Sequence, residues 1–255
     1  MKVTFLGTGT SQGVPMIACN CRVCTSPDPL DKRLRSSILI QHGPLNIVVD
    51  TTPDFRYQML RAHVTHLDAV LITHHHKDHI AGMDDVRAFN YFQHEPIDIY
   101  ATEPTQEAIL REFPYAFGAY RYPGVPQIDL KIINGAIIPI GDLFIQPIQV
   151  MHYKLPVTGF RIGNFTYITD ANYIAPEEKN KILGSEVLVV NALRYKDHIS
   201  HFTLPEALAL ADELGVKRAY FTHISHQLGR HEEVNGSLPP GRFLAHDGLE
   251  LEITA

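Results

Sequence analysis

The chain has no tryptophan and three cysteines, and all three cysteines fall between Cys19 and Cys24. That clustering argues against a disulfide framework of the kind that staples small secreted domains. No apolar run is long enough to cross a bilayer. The opening Met1-Lys2-Val3-Thr4-Phe5-Leu6-Gly7 has neither the apolar length nor the small-residue cleavage site of a signal peptide. An excess of positive charge is also missing: 22 Lys and Arg stand against 28 Asp and Glu, a formal net charge of −6. This balance argues against a polyanion such as nucleic acid as partner, because such partners select basic surfaces. The turn Gly7-Thr8-Gly9-Thr10-Ser11-Gln12-Gly13 lacks the Gly-Lys-Ser/Thr ending of a phosphate-binding P-loop. It reads either as backbone able to approach a ligand closely or as a tight turn between strands. A cytoplasmic location with no membrane partner is the expectation.

What the chain does have is 255 residues with 45% hydrophobic and 20% charged content, enough for one domain, 1–255, with a substantial core. Apolar runs at Val3–Leu6, Ser37–Gln41, Asn46–Val49, Ala69–Ile72 and Ile97–Ala101 read as strands. So do Leu130–Ile133, Ile137–Ile140, Leu143–Val150, Thr158–Ile162, Phe165–Thr169, Val187–Asn191 and Arg218–Thr222, with Leu249–Ile253 as an edge strand. Thr52-Pro53 looks like the start of a helix through His63, and helices are also expected at Pro176–Leu183 and Leu204–Leu214. Many strands with irregularly placed helices predict an α/β chain of two packed sheets covered by helices; a doubly wound parallel sheet is the alternative. Asp31-Lys32-Arg33-Leu34-Arg35 reads as a solvated charged face. Tyr115, Phe117, Tyr120 and Tyr122 read either as a pocket lid or as packing.

Fifteen histidines is a high count, so their spacing matters. His74-His75-His76-Lys77-Asp78-His79 follows an apolar strand and spells His-x-His-x-Asp-His. In extended chain, residues two apart point the same way, so His74 and His76 can grip one cation. A turn after His76 aims Asp78 and His79 at a second position, while His75 points away. Imidazole and carboxylate suit Zn²⁺, Mn²⁺ or Fe²⁺. His152, Asp170 and His223 each close a later apolar strand and supply further ligands. Cys19, Cys21 and Cys24 form Cys-x-Cys-x₂-Cys, three thiolates that need a fourth ligand to make a structural zinc knuckle; spacing does not say which histidine provides it.

With these motifs in order along nearly its whole length, the chain resembles the metallo-β-lactamase superfamily. The resemblance implies a four-layer αββα sandwich with the metals at one edge of the two sheets. It implies that His74, His76 and His152 hold one divalent ion, that Asp78, His79 and His223 hold the other, and that Asp170 bridges them. Redox members place a carboxylate where this chain has His76, so hydrolysis is expected. The Gly7–Gly13 loop, the cysteine cluster, Ser200-His201-Phe202 and Thr222-His223-Ile224-Ser225-His226 resemble the phosphodiesterase branch, especially the phosphoribosyl 1,2-cyclic phosphate phosphodiesterases (PhnP-like).

That narrower likeness implies His226 as the fourth zinc ligand. It also implies His201 as the acid that protonates the leaving oxygen, with His198 as the alternative and Asp78 catalytic as well as ligating. Arg194 is a candidate phosphate clamp, and Asn172 and Tyr173 are candidate hydrogen-bonding groups for substrate. Two Zn²⁺ or Mn²⁺ in the active site, one structural zinc, and a small anionic phosphodiester as substrate complete the expectation, with a homodimer left open. A coenzyme-synthesis protein resembling PqqB, a ribonuclease Z-like nuclease and an ester or lactone hydrolase are the other readings.

Overall fold

In the computed structural model, residues 1–118 and 122–254 are described. Among them two seven-stranded sheets face each other. The first is built from β1 (Lys2–Gly7), β2 (Ser37–His42), β3 (Leu45–Val49), β4 (Ala69–Leu71), β5 (Ile97–Ala101) and β6 (Ile128–Ile132). The second holds β7 (Ile138–Ile140), β8 (Leu143–His152), β9 (Leu155–Ile162), β10 (Phe165–Tyr167), β11 (Val187–Asn191), β12 (Arg218–Thr222) and β13 (Arg242–Leu244). The last strand, β14 (Glu250–Glu252), crosses back to lie antiparallel to β1 at the edge of the first sheet. Sheet orders are β14-β1-β2-β3-β4-β5-β6 and β13-β12-β11-β10-β9-β8-β7.

Each sheet joins an antiparallel part to a run of parallel strands, β3 to β6 in one and β10 to β13 in the other. In β4, β11 and β12 the parallel part explains the near-continuous apolar runs: strands covered on both faces have no polar side to show, whereas β5 and β6 nearer the edge keep a more open side. In β2, Ile38 and Ile40 point into the layer between the sheets, where they join Phe5, Ile47, Val49, Ile145, Phe160, Phe165 and Val189. Leu39 points the other way, into an outer layer with Val48, Val70, Phe55, Met59, Met83 and Ile109. The second sheet has a matching outer layer in which Leu204, Ala207, Leu210 and Ala211 cover Leu188, Val190 and Phe221. The order helix, sheet, sheet, helix is the four-layer sandwich expected; the doubly wound alternative is excluded by the second sheet.

The helices are α1 (Phe55–Arg61), α2 (Lys77–Ile80), α3 (Arg87–Gln93), α4 (Glu103–Glu112), α5 (Pro114–Phe117), α6 (Pro176–Ile182), α7 (Leu204–Glu213) and α8 (His231–Gly236). α7 begins with a full capping box, Thr203 accepting from the Glu206 amide and Glu206 answering. The expected start of α1 at Thr52-Pro53 is corrected. Thr52 Oγ1 accepts from the Asp54 amide at 3.1 Å and donates to Gln58 Oε1 at 2.9 Å, so it closes a turn ahead of the helix.

The expected charged face at 31–35 is also corrected. Asp31 is 2% and Arg33 5% exposed. Arg33 donates to Thr8 Oγ1, the Ala245 carbonyl and His231 Nδ1, while Asp31 accepts from the His231 amide. Arg35 pairs with Asp54 at 2.9 Å. A charge run buries when its partners lie far away in sequence, and here they lie some 200 residues on. The Gly7–Gly13 loop packs on this same segment. A Cβ on Gly7 would stand 1.9 Å from the Arg35 carbonyl oxygen, and one on Gly9 2.9 Å from that of Arg33. The glycines are required by chain packing, and the loop presents Thr10 rather than bare backbone to the site. Of the four aromatics between 115 and 122, Tyr115 hydrogen-bonds Asp84, Phe117 packs on the outer core and Tyr122 is exposed; Tyr120 lies outside the described residues.

Candidate metal centre

The ends of strands from both sheets meet at one rim, and the polar residues that follow them converge there. After β3 comes Asp50, after β4 Thr73 to His79, at the end of β8 His152, after β10 Asp170, and after β12 His223. Asp50, Asp170 and His223 turn the chain with positive φ (66°, 54° and 55°), a conformation side-chain-bearing residues take at a cost and which clusters at functional sites.

Asp78, His79, Asp170 and His223 offer ligand atoms that all lie within 4.8 Å of one another, and His152, Asp170 and His201 do the same. Asp170 is common to both groups, the position a bridging ligand needs. His74 and His76 complete the rim. His74 Nε2 stands 3.0 Å from His76 Nδ1, and their rings lie 5.8 and 5.2 Å from His152. All seven residues expected as active-site ligands are thus gathered in one place. His75 turns away and lines a cavity of about 370 Å³ with Thr102, Pro104 and Thr158, and Lys77 pairs with Glu112.

Whether a cation fits is decided by the donor set and by an orphaned atom. His79 Nδ1 contacts Asp50 Oδ2 at 2.7 Å, and its buried Nε2 has no hydrogen-bond partner. Two carboxylate oxygens, Asp78 Oδ2 and Asp170 Oδ2, stand 3.2 Å from that nitrogen. A neutral imidazole would aim its lone pair at two anions, an arrangement that calls for a positive charge among them. Without an ion the ring itself must supply it. Burial disfavours charged His79, but Asp78, Asp170 and Asp50 together outweigh that and hold its pKa well above the ordinary value. Burial likewise opposes ionisation of Asp170, yet the His223 and His79 rings hold it well below the usual carboxylate range. His74 is driven well below 6.5, first by burial and then by His79, and so stays neutral, the form that ligates. The residues fit divalent cations.

Asp50 is the residue that reading the sequence missed. Fully buried, it accepts from the Thr73 amide (2.8 Å) and hydroxyl and holds His79. A carboxylate behind a ligating imidazole fixes which nitrogen faces the metal. The only trace in sequence is an acidic residue closing an apolar strand, and the following Thr-Thr-Pro drew it into a helix start. The Ser200 carbonyl does the same for His152, 2.7 Å from its Nδ1. Asn191, at the end of β11, pairs both ways with the Ala171 backbone and so fixes the residue after Asp170.

His201 is buried against the ligands. Its ring lies 4.5 Å from His152 and 4.9 Å from His223, and its Nδ1, without a hydrogen-bond partner, is 3.7 Å from Asp170 Oδ1. Burial pushes it down to about 3, with Asp170 pulling the other way. His198, nearer the surface, lies 5.0 Å from it. Two of the expected substrate groups are engaged elsewhere. Arg194 donates to the Lys196 and Asp197 carbonyls and to Gln227 Oε1, and Asn172 bridges the Tyr153 amide and the Ile199 carbonyl. Tyr173 is 54% exposed at the rim.

Away from this rim, Cys19, Cys21, Cys24 and His226 also converge within 4.8 Å. His226 Nδ1 is 3.4 Å from the Cys19 sulfur and 3.3 Å from that of Cys21. Zinc–sulfur and zinc–nitrogen bond lengths predict a tetrahedral edge of about 3.6 Å, so the set fits a zinc ion. The Cys24 amide, then His226, bring the Cys21 thiol down to about 6. The first loop is meanwhile joined to the segment after β12, since Thr10 and Ile224, and Ile224 and Thr8, exchange backbone hydrogen bonds.

A β-lactamase superfamily domain model matches residues 45–224. The crystal structure of a diphosphatase of the PhnP family superposes with a TM-score of 0.93 at 40% identity, covering 98% of this chain and 96% of that one. Zinc-bound PqqB from Methylobacterium extorquens shares the fold, with a TM-score of 0.79 at 20% identity over 99% of this chain and 100% of that one. A protein of Porphyromonas gingivalis named octanoyltransferase is 38% identical over 98% of this chain, which amounts to 51% of that protein. The chain spans about half or less of the length of the curated relatives it matches, so a name that describes a longer protein says little about the matched half.

Proposed function

The chain belongs to the metallo-β-lactamase superfamily as a PhnP-like, metal-dependent hydrolase, and from that premise we propose that it cleaves a P–O bond in a small anionic phosphodiester, a cyclic one such as a ribosyl cyclic phosphate being the leading candidate. The observation that carries the reading is His201 seated against His152 and His223, beside seven gathered ligands. An alkoxide leaving a phosphorus centre needs a proton or a metal contact, and His201 is placed to give one; an alkyl ester or lactone also expels an alkoxide, so turnover rather than His201 alone separates those readings.

In this reading His74, His76 and His152 would hold one divalent ion and Asp78, His79 and His223 the other, with Asp170 in reach of both. When bound, two such ions would supply Lewis acidity towards the phosphoryl oxygens and lower the pKa of a water molecule. Asp50 and the Ser200 carbonyl keep His79 and His152 turned towards the ions. His201, kept neutral by its burial, would hand a proton to the leaving oxygen as charge develops there, drawing its replacement through His198, whose ring lies 5.0 Å away. The cysteine knuckle takes a structural zinc.

A second reading, cleavage of a diphosphate linkage, is favoured by the relative at 40% identity that is a diphosphatase. Turnover of a bis-aryl phosphate, a ribosyl cyclic phosphate, a nucleoside diphosphate, a carboxylic ester and a lactone, each with Mn²⁺ and with Zn²⁺, separates the phosphodiester, diphosphate and ester readings. Metal-dependent turnover of the cyclic diester is expected; failure on every phosphodiester would overturn the proposal. His201→Ala should slow alkyl leaving groups at least about tenfold more than activated aryl ones. An equal loss on both would remove His201 as the acid.

A further inference from the structure

The segment between β11 and α7, residues 194–203, carries both His198 and His201, and its backbone is held carbonyl by carbonyl. Arg194 Nε donates to the Lys196 carbonyl at 3.0 Å and Nη2 to that of Asp197 at 2.9 Å. Asn172 Nδ2 donates to the Ile199 carbonyl at 3.0 Å, and His152 Nδ1 lies 2.7 Å from that of Ser200. The Phe202 amide donates to the Ala171 carbonyl at 2.7 Å. The end of the loop is anchored, with Phe202 packed against the outer core of the second sheet and Ser200, His201 and Thr203 buried. Its first part is not: Tyr195 and Ile199 are 50% and 66% exposed, and an exposed stretch of this kind ordinarily samples many conformations. Here it is fixed through polar groups, Arg194 and Asn172, that stand beside the segments carrying the metal ligands.

Arg194 is itself fixed. Its Nη1 donates to Gln227 Oε1, and Gln227 directly follows His226 of the cysteine knuckle. A guanidinium with one donor from each of its three nitrogens spent on its own loop and on Gln227 is poorly placed to act as a bidentate phosphate fork. Asn172, from the segment after Asp170, uses its acceptor on the Tyr153 amide and its donor on the loop.

We propose that Arg194 and Asn172 are positioning residues, which hold the His198–His201 loop over the metal centre and thereby set the proton donor, rather than residues that bind substrate. The statement rests on the hydrolase reading for what the loop does, but not for how it is held. Arg194→Lys keeps the charge and loses the fork; Asn172→Asp keeps the acceptor and loses the donor. Each variant, loaded with Mn²⁺ in parallel with the wild-type protein, is followed by hydrogen–deuterium exchange and by steady-state kinetics.

Deuterium uptake in the peptide spanning 194–203 should rise severalfold in both variants, with uptake at β10 and β12 unchanged and the metal content intact. On a phosphodiester with an alkyl leaving group, kcat should fall about 10- to 100-fold with KM within a few-fold of wild type, and an activated aryl ester should be affected less. Unchanged uptake in 194–203, or a raised KM with kcat preserved in Arg194→Lys, overturns the proposal in favour of a substrate clamp. If the wild-type protein turns over no phosphodiester, the hydrolytic reading fails, and the exchange result alone still decides how the loop is held.

Discussion

At the scale of single residues, the most informative side chain is one with no ligand role. Asp50 sits behind His79 and accepts from three donors: the Thr73 amide, the Thr73 hydroxyl and the His79 ring. Asp50→Asn preserves shape but must turn an NH₂ group towards one of those donors, which frees the imidazole to rotate or change tautomer. The expected result is a 10- to 100-fold loss in active-site metal affinity, on the order of what such supporting groups contribute. It would be measured by competition with a chromophoric chelator. Affinity equal to wild type would show that His79 needs no such support.

A second residue-scale prediction concerns His231, far from the metals. Its Nδ1 receives a hydrogen bond from the Arg33 guanidinium at 3.1 Å and cannot be protonated while it does. Burial, and then the Arg33 charge, push this imidazole down to about 4 from 6.5. Asp31 and His246 also face it, the first favouring its charged form and the second opposing it. Between those two pH values the unfolded chain carries a proton that the folded chain does not, so stability falls as pH drops from about 6.5 to about 4. The whole effect is at most about 3 kcal/mol. His231→Gln should flatten this part of the curve of urea midpoint against pH; an unaltered acid slope would place the cause elsewhere.

At the scale of elements, legibility followed burial. β11 and β12 match their expected bounds because covered parallel strands are apolar runs ended by polar residues, and β5 matches through its alternation of buried and half-buried residues. β9 was expected from Thr158 but begins at Leu155, because Pro156 reads as a breaker in isolation. It is tolerated opposite Met151 near the turn of the β8–β9 hairpin. α3 and α4 went unread: Tyr91 and Phe92 are exposed, as is Leu110, and such apolar residues on the solvent side blur a helical period. The ligands were legible because each closes a strand. Asp50 closes one too, but Thr51-Thr52-Pro53 after it imitates a cap. Arg194 and Asn172 were legible as polar residues near the site and illegible in role, since nothing local shows that their donors are spent on a loop. The Gly7 turn gives the prediction for this scale. Gly7→Ala puts a methyl group against the fixed Arg35 carbonyl at 1.9 Å. It should destabilise the fold by about 1–3 kcal/mol in chemical denaturation, and a neutral result would mean the loop has slack.

At the scale of the whole molecule, the early chain is bound to the late chain by polar groups as well as by the core that Val3 and Phe5 share with Tyr220, Leu251 and Ile253. Cys19 and Cys21 meet His226, Arg33 meets Ala245 and His231, Asp31 meets His231, and Thr8 meets Asp247. The knuckle adds only a small apolar patch, Val14, Val23 and Cys24, together with the Arg22–Glu233 pair and the backbone bonds between Val14 and Arg33, so a bound ion would be a substantial part of what holds it closed. Binding to the folded state alone stabilises it in proportion to the logarithm of ion concentration over Kd. Removing zinc should then loosen residues 14–24 from the segment after β12, and with them Thr10, whose hydroxyl lies 3.3 Å from His223 Nε2. Cys21→Ser is accordingly expected to lose one equivalent of zinc and to melt several degrees lower, about what 1–2 kcal/mol means for a domain of this size. A strong chelator should lower the melting temperature of the wild-type protein more than that of Cys21→Ser, because both lose active-site ions and only the wild type loses the knuckle ion as well. Equal zinc content and equal chelator shifts in the two proteins would show that the three thiols and His226 stay closed without metal.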